Sequence, residues 1–153
     1  MNRDIYDYAR ELDNNDHVSY YDVFKVLLKN IDCIVCKKSV ADLLGYSNGG
    51  FGKNIEVYTT EEYNLPYLKC YIVSDLSKIE SDSFHKIRFV PIEKTIVEML
   101  EDNFTDTQVL LETMSNYYCE HNDSYSSINP PLNILDKFNY YSKEAQKYYE
   151  AGL

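Results

Sequence analysis

The feature that most constrains the fold is a change of hydrophobic period along the chain, from helical spacing to strand-like runs and back. Apolar residues recur at helical spacing in the first third, as at Val23, Phe24, Leu27, Leu28 and Ile31. The middle instead holds three short runs rich in β-branched and aromatic residues, NIEVYTT, YLKCYIV and HKIRFV. After Pro91 the helical period returns. Segregated helices and strands of this kind predict an α+β fold.

The 153 residues fit a single domain, 1–153, with helices over about 3–45, strands over about 54–90 and helices over about 91–151. The strands are separated by few residues, which favours a small, mostly antiparallel three-stranded sheet over parallel crossovers. The N-terminal helices include YYDVFKVLLKNI and a short helix that Ser39 would cap and Gly45 would end.

Net charge limits the classes of partner. The chain has 15 Lys and Arg against 25 Asp and Glu, a formal charge of −10. Such a field repels nucleic-acid phosphates and anionic lipid, so direct nucleic-acid binding is disfavoured, and it steers basic proteins towards the surface. No apolar run approaches the ~20 residues of a membrane helix. The first residues lack the apolar core of a signal peptide, so we expect a cytoplasmic protein with no membrane association.

Two cysteines have the spacing of a metal knuckle or redox pair, Cys33 and Cys36. A structural zinc site commonly uses two such pairs, and the remaining cysteines, Cys70 and Cys119, stand alone. Cysteine is also among the residue types most often buried. Buried thiols are therefore the favoured interpretation, with no metal and no cofactor, while a cysteine-dependent metalloprotein or enzyme remains an open alternative.

A glycine-rich segment containing Gly49, Gly50 and Gly52 resembles a phosphate-binding loop only superficially. It lacks both the Gly-x-Gly-x-x-Gly order and the Gly-Lys-Ser/Thr ending, and a strand rather than a helix is predicted after it. Tight turns that need a positive φ explain these glycines better.

The most acidic stretch of the chain is residues 91–123, which contain eight acids and one base, a local charge of −7. Acids on helices usually face water, but acids interleaved with tyrosines also suit a docking surface for a basic protein. The predicted partner-binding residues are Glu98, Glu101, Asp102, Asp106, Glu112, Tyr117, Tyr118 and Tyr125.

Two motifs give the chain a family resemblance over roughly residues 20–150. One is a Ser-x-Ala-x-x-x-Gly-like helix leading into an Ile-x-Val-x-Thr strand, and the other is a Pro-x-Glu-Lys-Thr helix start, with Lys where Arg is more usual. The order and spacing resemble the AbiEi-type antitoxins. The matching residues are Ser39, Ala41, Leu44 and Gly45, then Ile55, Val57 and Thr59, then Pro91, Glu93, Lys94 and Thr95.

The resemblance implies a non-enzymatic protein that neutralises a partner nucleotidyltransferase toxin by direct binding, in a phage-defence or abortive-infection setting. It implies structural roles for the motif residues, with Ser39 capping a helix and Thr95 lying in a first helical turn. Such proteins usually add an N-terminal winged helix that binds DNA, for which there is little room before Ser19. The alternative from charge alone is an acidic nucleic-acid mimic that inhibits a nuclease or defence complex.

Overall fold

The structure is a computed structural model that describes residues 3–13, 19–47, 54–103 and 105–151. These ranges contain six α-helices, and the glycine-rich segment around Gly49 and Gly52 lies outside them. The helices are α1 Ile5–Leu12, α2 Tyr20–Leu27, α3 Lys38–Leu44, α4 Ile92–Glu101, α5 Thr107–Glu120 and α6 Leu135–Ala151. The strands are β1 Ile34–Val35, β2 Ile55–Thr59, β3 Leu68–Ile72, β4 Asp82–Phe84 and β5 Ile87–Phe89.

The five strands form one mixed sheet in the order β3-β2-β1-β5-β4. Strand β1 pairs antiparallel with β2 and parallel with β5, while β4 and β5 form an antiparallel hairpin. Strand β3 runs parallel to β2, with Ile55 opposite Leu68 and Thr59 opposite Ile72. The predicted α+β class is confirmed.

The predicted three-stranded, mostly antiparallel sheet is wrong in strand number and in direction. Residues 60–67 return the chain from the end of β2 to the start of β3 without a helix. A five-residue strand spans only ~16 Å, which eight extended residues can cover, so a short loop suffices for this parallel pair. Two strands were missed because β1 has two residues and the three residues of β4 are all exposed.

Helix α2 ends at Leu27, four residues before the predicted end at Ile31. Asn30 adopts a left-handed φ of 67°, a conformation that asparagine tolerates better than most residues. Strand β1 follows at Ile34, so the region predicted as all helical contains the central strand of the sheet.

Helix α3 begins differently from the prediction but ends as predicted. Its N-cap is Lys37, which makes no side-chain capping bond, and Ser39 lies inside the helix, so the capping role assigned to Ser39 is wrong. Ser39 Oγ instead accepts a 2.9 Å hydrogen bond from the backbone N–H of Glu56 in β2. Gly45 ends the helix with a left-handed φ of 76°, which confirms the predicted C-cap.

The hydrophobic core lies between the sheet and the helices that pack against it. Its fully buried side chains come from elements distant in sequence, including Phe24 of α2, Val57 of β2, Ile96 of α4 and Met114 of α5. Helix α6 packs along α5 and buries Ala145. Within the described ranges, no helix combines the length and apolar content that crossing a bilayer requires.

Candidate functional site: a groove along helix α4

The acids predicted on α4 line a groove. Two cavities of about 640 Å³ and 490 Å³ lie side by side along this helix and share Tyr58, Glu98 and Glu101 in their walls. The first extends towards Val97 and Pro131. The second extends to the surface of strands β2 and β3. The groove is therefore built by a helix that follows Pro91 and by two strands from the middle of the sequence.

Glu98 is fixed in the wall of the groove. Its carboxylate accepts a short hydrogen bond from the Tyr58 hydroxyl and a 3.4 Å bond from the backbone N–H of Lys37. Burial of the ring and the adjacent Glu98 carboxylate both raise the pKa of Tyr58 above its usual value, so this phenol remains a proton donor. Glu98 thus joins α4 to β2 and to the start of α3, and it has a structural role.

A second carboxylate, Glu56, lies beneath the strand side of the groove and is only 4% exposed. The Tyr71 hydroxyl donates a 2.8 Å hydrogen bond to Glu56 Oε1, and Lys69 Nζ lies 3.9 Å from the same oxygen. Lys37 Nζ lies 4.9 Å from the centre of the Tyr71 ring, within cation–π range. Burial, followed by the bond to Glu56, raises the pKa of Tyr71. This end of the groove is a closed network of paired charges and phenols.

The groove is less acidic than the sequence suggested, because lysines from other segments line it. Lys37 and Lys69 line one cavity, and Lys78 and Lys94 line the other. Lys94 Nζ pairs with Glu80 at 3.4 Å. The charge of −7 counted over residues 91–123 omits three of these lysines, which lie outside that stretch. The lining of the two cavities therefore holds four lysines and five acids, so its net charge is close to neutral.

Glu101 differs from the other acids of the groove. It is exposed, lines both cavities and, in the part of the chain that the structure describes, forms no hydrogen bond or ion pair. Asp102, next to it, lines the second cavity and is half-buried with an interaction of its own. Glu101 is therefore the carboxylate of the groove that is best placed to meet a cation from another molecule.

Two further predicted acids lie on α5 and do not line either cavity of the groove. Asp106 caps α5, accepting hydrogen bonds from the backbone N–H groups of Gln108 at 2.7 Å and Val109 at 3.3 Å. Glu112 accepts a 3.2 Å bond from the Gln108 side chain. Glu98, Glu101 and Asp102 thus line the same groove, and Asp106 and Glu112 do not.

The three predicted tyrosines pack within the protein. Tyr117 is fully buried and stacks on His121 with ring centres 3.7 Å apart. The Tyr125 hydroxyl donates to the backbone carbonyl of Met114 at 3.0 Å, and the half-buried Tyr118 lies 5.1 Å from the Tyr125 ring. As a correction to the predicted surface, Tyr117 belongs to the core and offers no area to a partner.

Sequence reasoning missed the tyrosines that do line the groove, Tyr58 and Tyr71. They are direct partners in the β2–β3 register, with ring centres 6.2 Å apart. Opposed aromatic residues on adjacent strands stabilise a sheet. Knowing that β2 pairs with β3 would have identified these two tyrosines. The local sequence pattern of either strand does not show that pairing.

The motif residues occupy structural positions. Ala41 and Pro91 are buried, Leu44 and Glu93 are half-buried, and Lys94 is exposed in its pair with Glu80. Thr95 lies in the first turn of α4 as predicted, fully buried, and its Oγ1 donates a 3.0 Å hydrogen bond to the Val90 carbonyl.

Cys33 and Cys36 flank β1, and both are buried, as predicted. Their surroundings differ, because Cys33 lies near Arg88 and Asp32 whereas Cys36 lies near Glu98 and Glu56. Burial raises the pKa of the Cys33 thiol to about 12, and burial with nearby carboxylates raises that of Cys36 further. Over the described residues, no three His, Cys, Asp or Glu side chains form a group able to hold a metal ion.

We expect the two buried thiols to resist modification in the folded protein. Thiolates are the reactive species, so a pKa of about 12 leaves Cys33 almost entirely unreactive at neutral pH. Titration with a chromogenic disulfide should show Cys119, which is exposed, reacting first and the half-buried Cys70 more slowly. Cys33 and Cys36 should react only after denaturant is added. Rapid modification of either one in the native protein would contradict this inertness.

Comparison with known proteins does not assign the groove. No protein-family model matches the chain, and no curated protein matches it at a significant level.

Proposed function

We propose that this chain is a non-enzymatic protein-binding module that acts as an antitoxin, neutralising a nucleotidyltransferase toxin by direct binding. The resemblance of the motif residues to AbiEi-type antitoxins supports the proposal, and Pro91 and Thr95 have the structural roles that it implies, since Pro91 is buried and Thr95 bonds to the backbone. Two tyrosines of the groove are hydrogen-bonded to carboxylates, Tyr58 to Glu98 and Tyr71 to Glu56. The groove therefore holds its shape without a ligand and can act as a preformed docking surface.

The observation that carries the proposal is the exposed, unpaired carboxylate of Glu101 between two cavities, within the described structure. A lysine or arginine from a partner would pair with Glu101 at this point. Its aliphatic stem would cover Val97, a half-buried apolar side chain of the adjacent wall. The overall charge of −10 would steer a basic partner towards the chain before these contacts form.

Lysines on both sides of Glu101 add selectivity. Lys78 and Lys37, which line one cavity each and form no ion pair in the described structure, would repel a partner whose cations were out of register with Glu101. Their presence also lessens the likeness to nucleic acid, whose phosphates carry negative charge without intervening cations. The groove accordingly favours a protein antitoxin over a nucleic-acid mimic.

The test is charge reversal at Glu101 alone, because Glu98 is needed for the fold. We expect Glu101→Lys to weaken binding to the co-encoded protein by at least about tenfold, since it replaces an ion pair with a repulsion. Titration calorimetry with both purified proteins measures the change. Co-expression should show that the variant no longer rescues growth from the toxin.

The matched control is Glu62→Lys, which makes the same charge change at an exposed residue in the loop between β2 and β3. It should leave binding within about twofold of wild type, apart from a small loss of long-range attraction. Equal binding by the two variants would show that α4 is not the docking surface. Competition by RNA for the partner would point instead to the nucleic-acid mimic.

A further inference from the structure

A cleft of about 530 Å³ collects positive charge on this acidic protein. Its walls come from the end of α2, the turn that follows it, and the β4–β5 hairpin. Four cationic residues line it, Lys25, Lys29, Lys86 and Arg88, against one acid, Asp32. Counting only lysine, arginine and the acid, the lining carries a formal net charge of +3 in a chain whose total is −10.

Three of these four cations form no ion pair with another described residue. Arg88 forms a short ion pair with Asp32, which holds its side chain in place. Lys25, Lys29 and Lys86 are exposed and, throughout the described ranges, make no ion pair. By contrast, Lys69 and Lys94 of the α4 groove are each paired with a glutamate. Unpaired lysines drawn from two separate segments to one cleft indicate a site for an anion.

The hairpin turn that presents His85 and Lys86 is built from residues that suit it poorly. Phe84 pairs with Ile87, so the loop has two residues, and their φ angles are 48° and 72°. A two-residue turn with both φ values positive is type I′, which strongly favours Asn-Gly. Left-handed conformations disfavour residues with a Cβ and persist mainly where surrounding structure or function requires them. Here both residues line the cleft, and the His85 ring also packs against Tyr21 and Phe84, with ring centres 5.1 Å and 4.4 Å away.

The interior of the cleft is apolar, and its positive charge is local. Leu28, Ile31 and Ile87 line its floor beneath the cations. The adjoining cavity, which shares Lys25, Lys29 and Lys86, is also lined by two acids, Asp13 and Asp22. A ligand that fits must therefore be small, with a compact anionic group and an apolar body. A long polyanion would meet the negative surface of the rest of the chain.

We propose that this cleft binds a phosphorylated small molecule, with its phosphates held by Lys25, Lys29 and Lys86 and its apolar body on Leu28 and Ile87. A nucleoside diphosphate has this chemistry, and pyrophosphate supplies the anionic part alone. The site is separate from the α4 groove and does not depend on the proposed antitoxin activity. Its role would be to couple the protein to a phosphorylated metabolite.

The probes are pyrophosphate, adenosine 5′-diphosphate and a decauridylate RNA, each titrated at low salt into ¹⁵N-labelled protein. We expect saturable amide shifts around Lys29, Asn30, Lys86 and Ile87 with the first two probes, and tighter binding of the nucleotide than of pyrophosphate. The affinity should fall as salt is added, because the contacts are exposed ion pairs. Lys29→Ala with Lys86→Ala should weaken nucleotide binding at least about tenfold.

The control is Lys143→Ala with Lys147→Ala, which removes two exposed lysines of α6 that line neither the cleft nor the α4 groove, and it should leave binding unchanged. A second variant, His85→Asn with Lys86→Gly, should raise the melting temperature by a few degrees while also weakening binding, because it suits the type I′ turn. The proposal is overturned by unsaturable shifts, by equal loss in the control pair, or by tighter binding of the RNA than of the nucleotide.

Discussion

Replacing Asp42 with asparagine should stabilise the protein at neutral pH and remove much of its loss of stability as the pH rises. Asp42 lies on α3, is 9% exposed, and its Oδ1 is buried without a hydrogen-bond partner in the described structure. Burial is the main cause that raises its pKa to about 7, and the Glu56 and Glu112 carboxylates add to it. A charged carboxylate at this position is costly because its solvation is lost without compensation.

The sign of the pH dependence follows from proton binding. Between about pH 4 and pH 7 the folded protein keeps a proton on Asp42 that the unfolded chain has released. Stability therefore falls as the pH rises through this window, and the full penalty is present above about pH 7. Each pKa unit corresponds to about 1.4 kcal/mol, so the penalty amounts to as much as ~4 kcal/mol.

The measurement is urea unfolding of wild type and Asp42→Asn from about pH 5 to about pH 8, the range that spans most of the window. The variant should gain stability over wild type as the pH rises, and the two should be closest at the acid end. Asp136→Asn, at an exposed position of α6, is the matched control and should run parallel to wild type. A constant difference between wild type and Asp42→Asn at every pH would contradict a buried, titrating carboxyl.

Ser39→Ala should destabilise the protein by about 1–3 kcal/mol, the usual cost of leaving a buried polar group unsatisfied. Strand β1 has only two residues, so it does not pair with the whole of β2. Ser39 Oγ accepts the Glu56 N–H in a buried 2.9 Å bond and extends the pairing from helix α3. Removing the hydroxyl leaves that N–H buried with no acceptor in its place.

The chain offers a matched control in Ser142, which is also buried and helical. In the described structure its Oγ has no hydrogen-bond partner. Ser142→Ala should therefore leave the free energy of unfolding unchanged or raise it by about 0.5 kcal/mol. Alanine has a higher helix propensity than serine, and the substitution breaks no hydrogen bond within the described structure. Denaturant unfolding of both variants measures the contrast. Equal stability of Ser39→Ala and Ser142→Ala would show that the Glu56 N–H finds another acceptor.

The two serines show how far local sequence predicts a site. The motif around Ser39 and Gly45 was correctly placed on a short helix, and Gly45 ends it in the left-handed conformation that glycine permits. The predicted capping role of Ser39 was wrong, because a cap bonds to the backbone of its own helix. Its actual partner, Glu56, is 17 residues away and is reached only through the sheet. Local pattern identified the residue as structural but not its contact.

The charges of the groove along α4 were likewise predicted only in part from the sequence. The acids of α4 were evident from the sequence, since charge and helical period are local properties. The lysines around them, Lys37, Lys69 and Lys78, come from three separate segments. The three lysines of the second cleft that form no ion pair within the described residues come likewise from the end of α2 and from the β4–β5 turn. The field at a surface sums charges over space, so no sequence window could have predicted either arrangement.

The sequence by itself determined the α+β class, the return to helices after Pro91 and the end of α3 at Gly45. These depend on side-chain period, on turn residues and on the apolar character of short runs, all of which act between near neighbours. Only the tertiary structure decided the parallel pairing of β2 with β3, the central place of β1, and the burial of Asp42. Strand pairing and burial depend on free energies of contact between distant segments, and these exist only once the chain has folded.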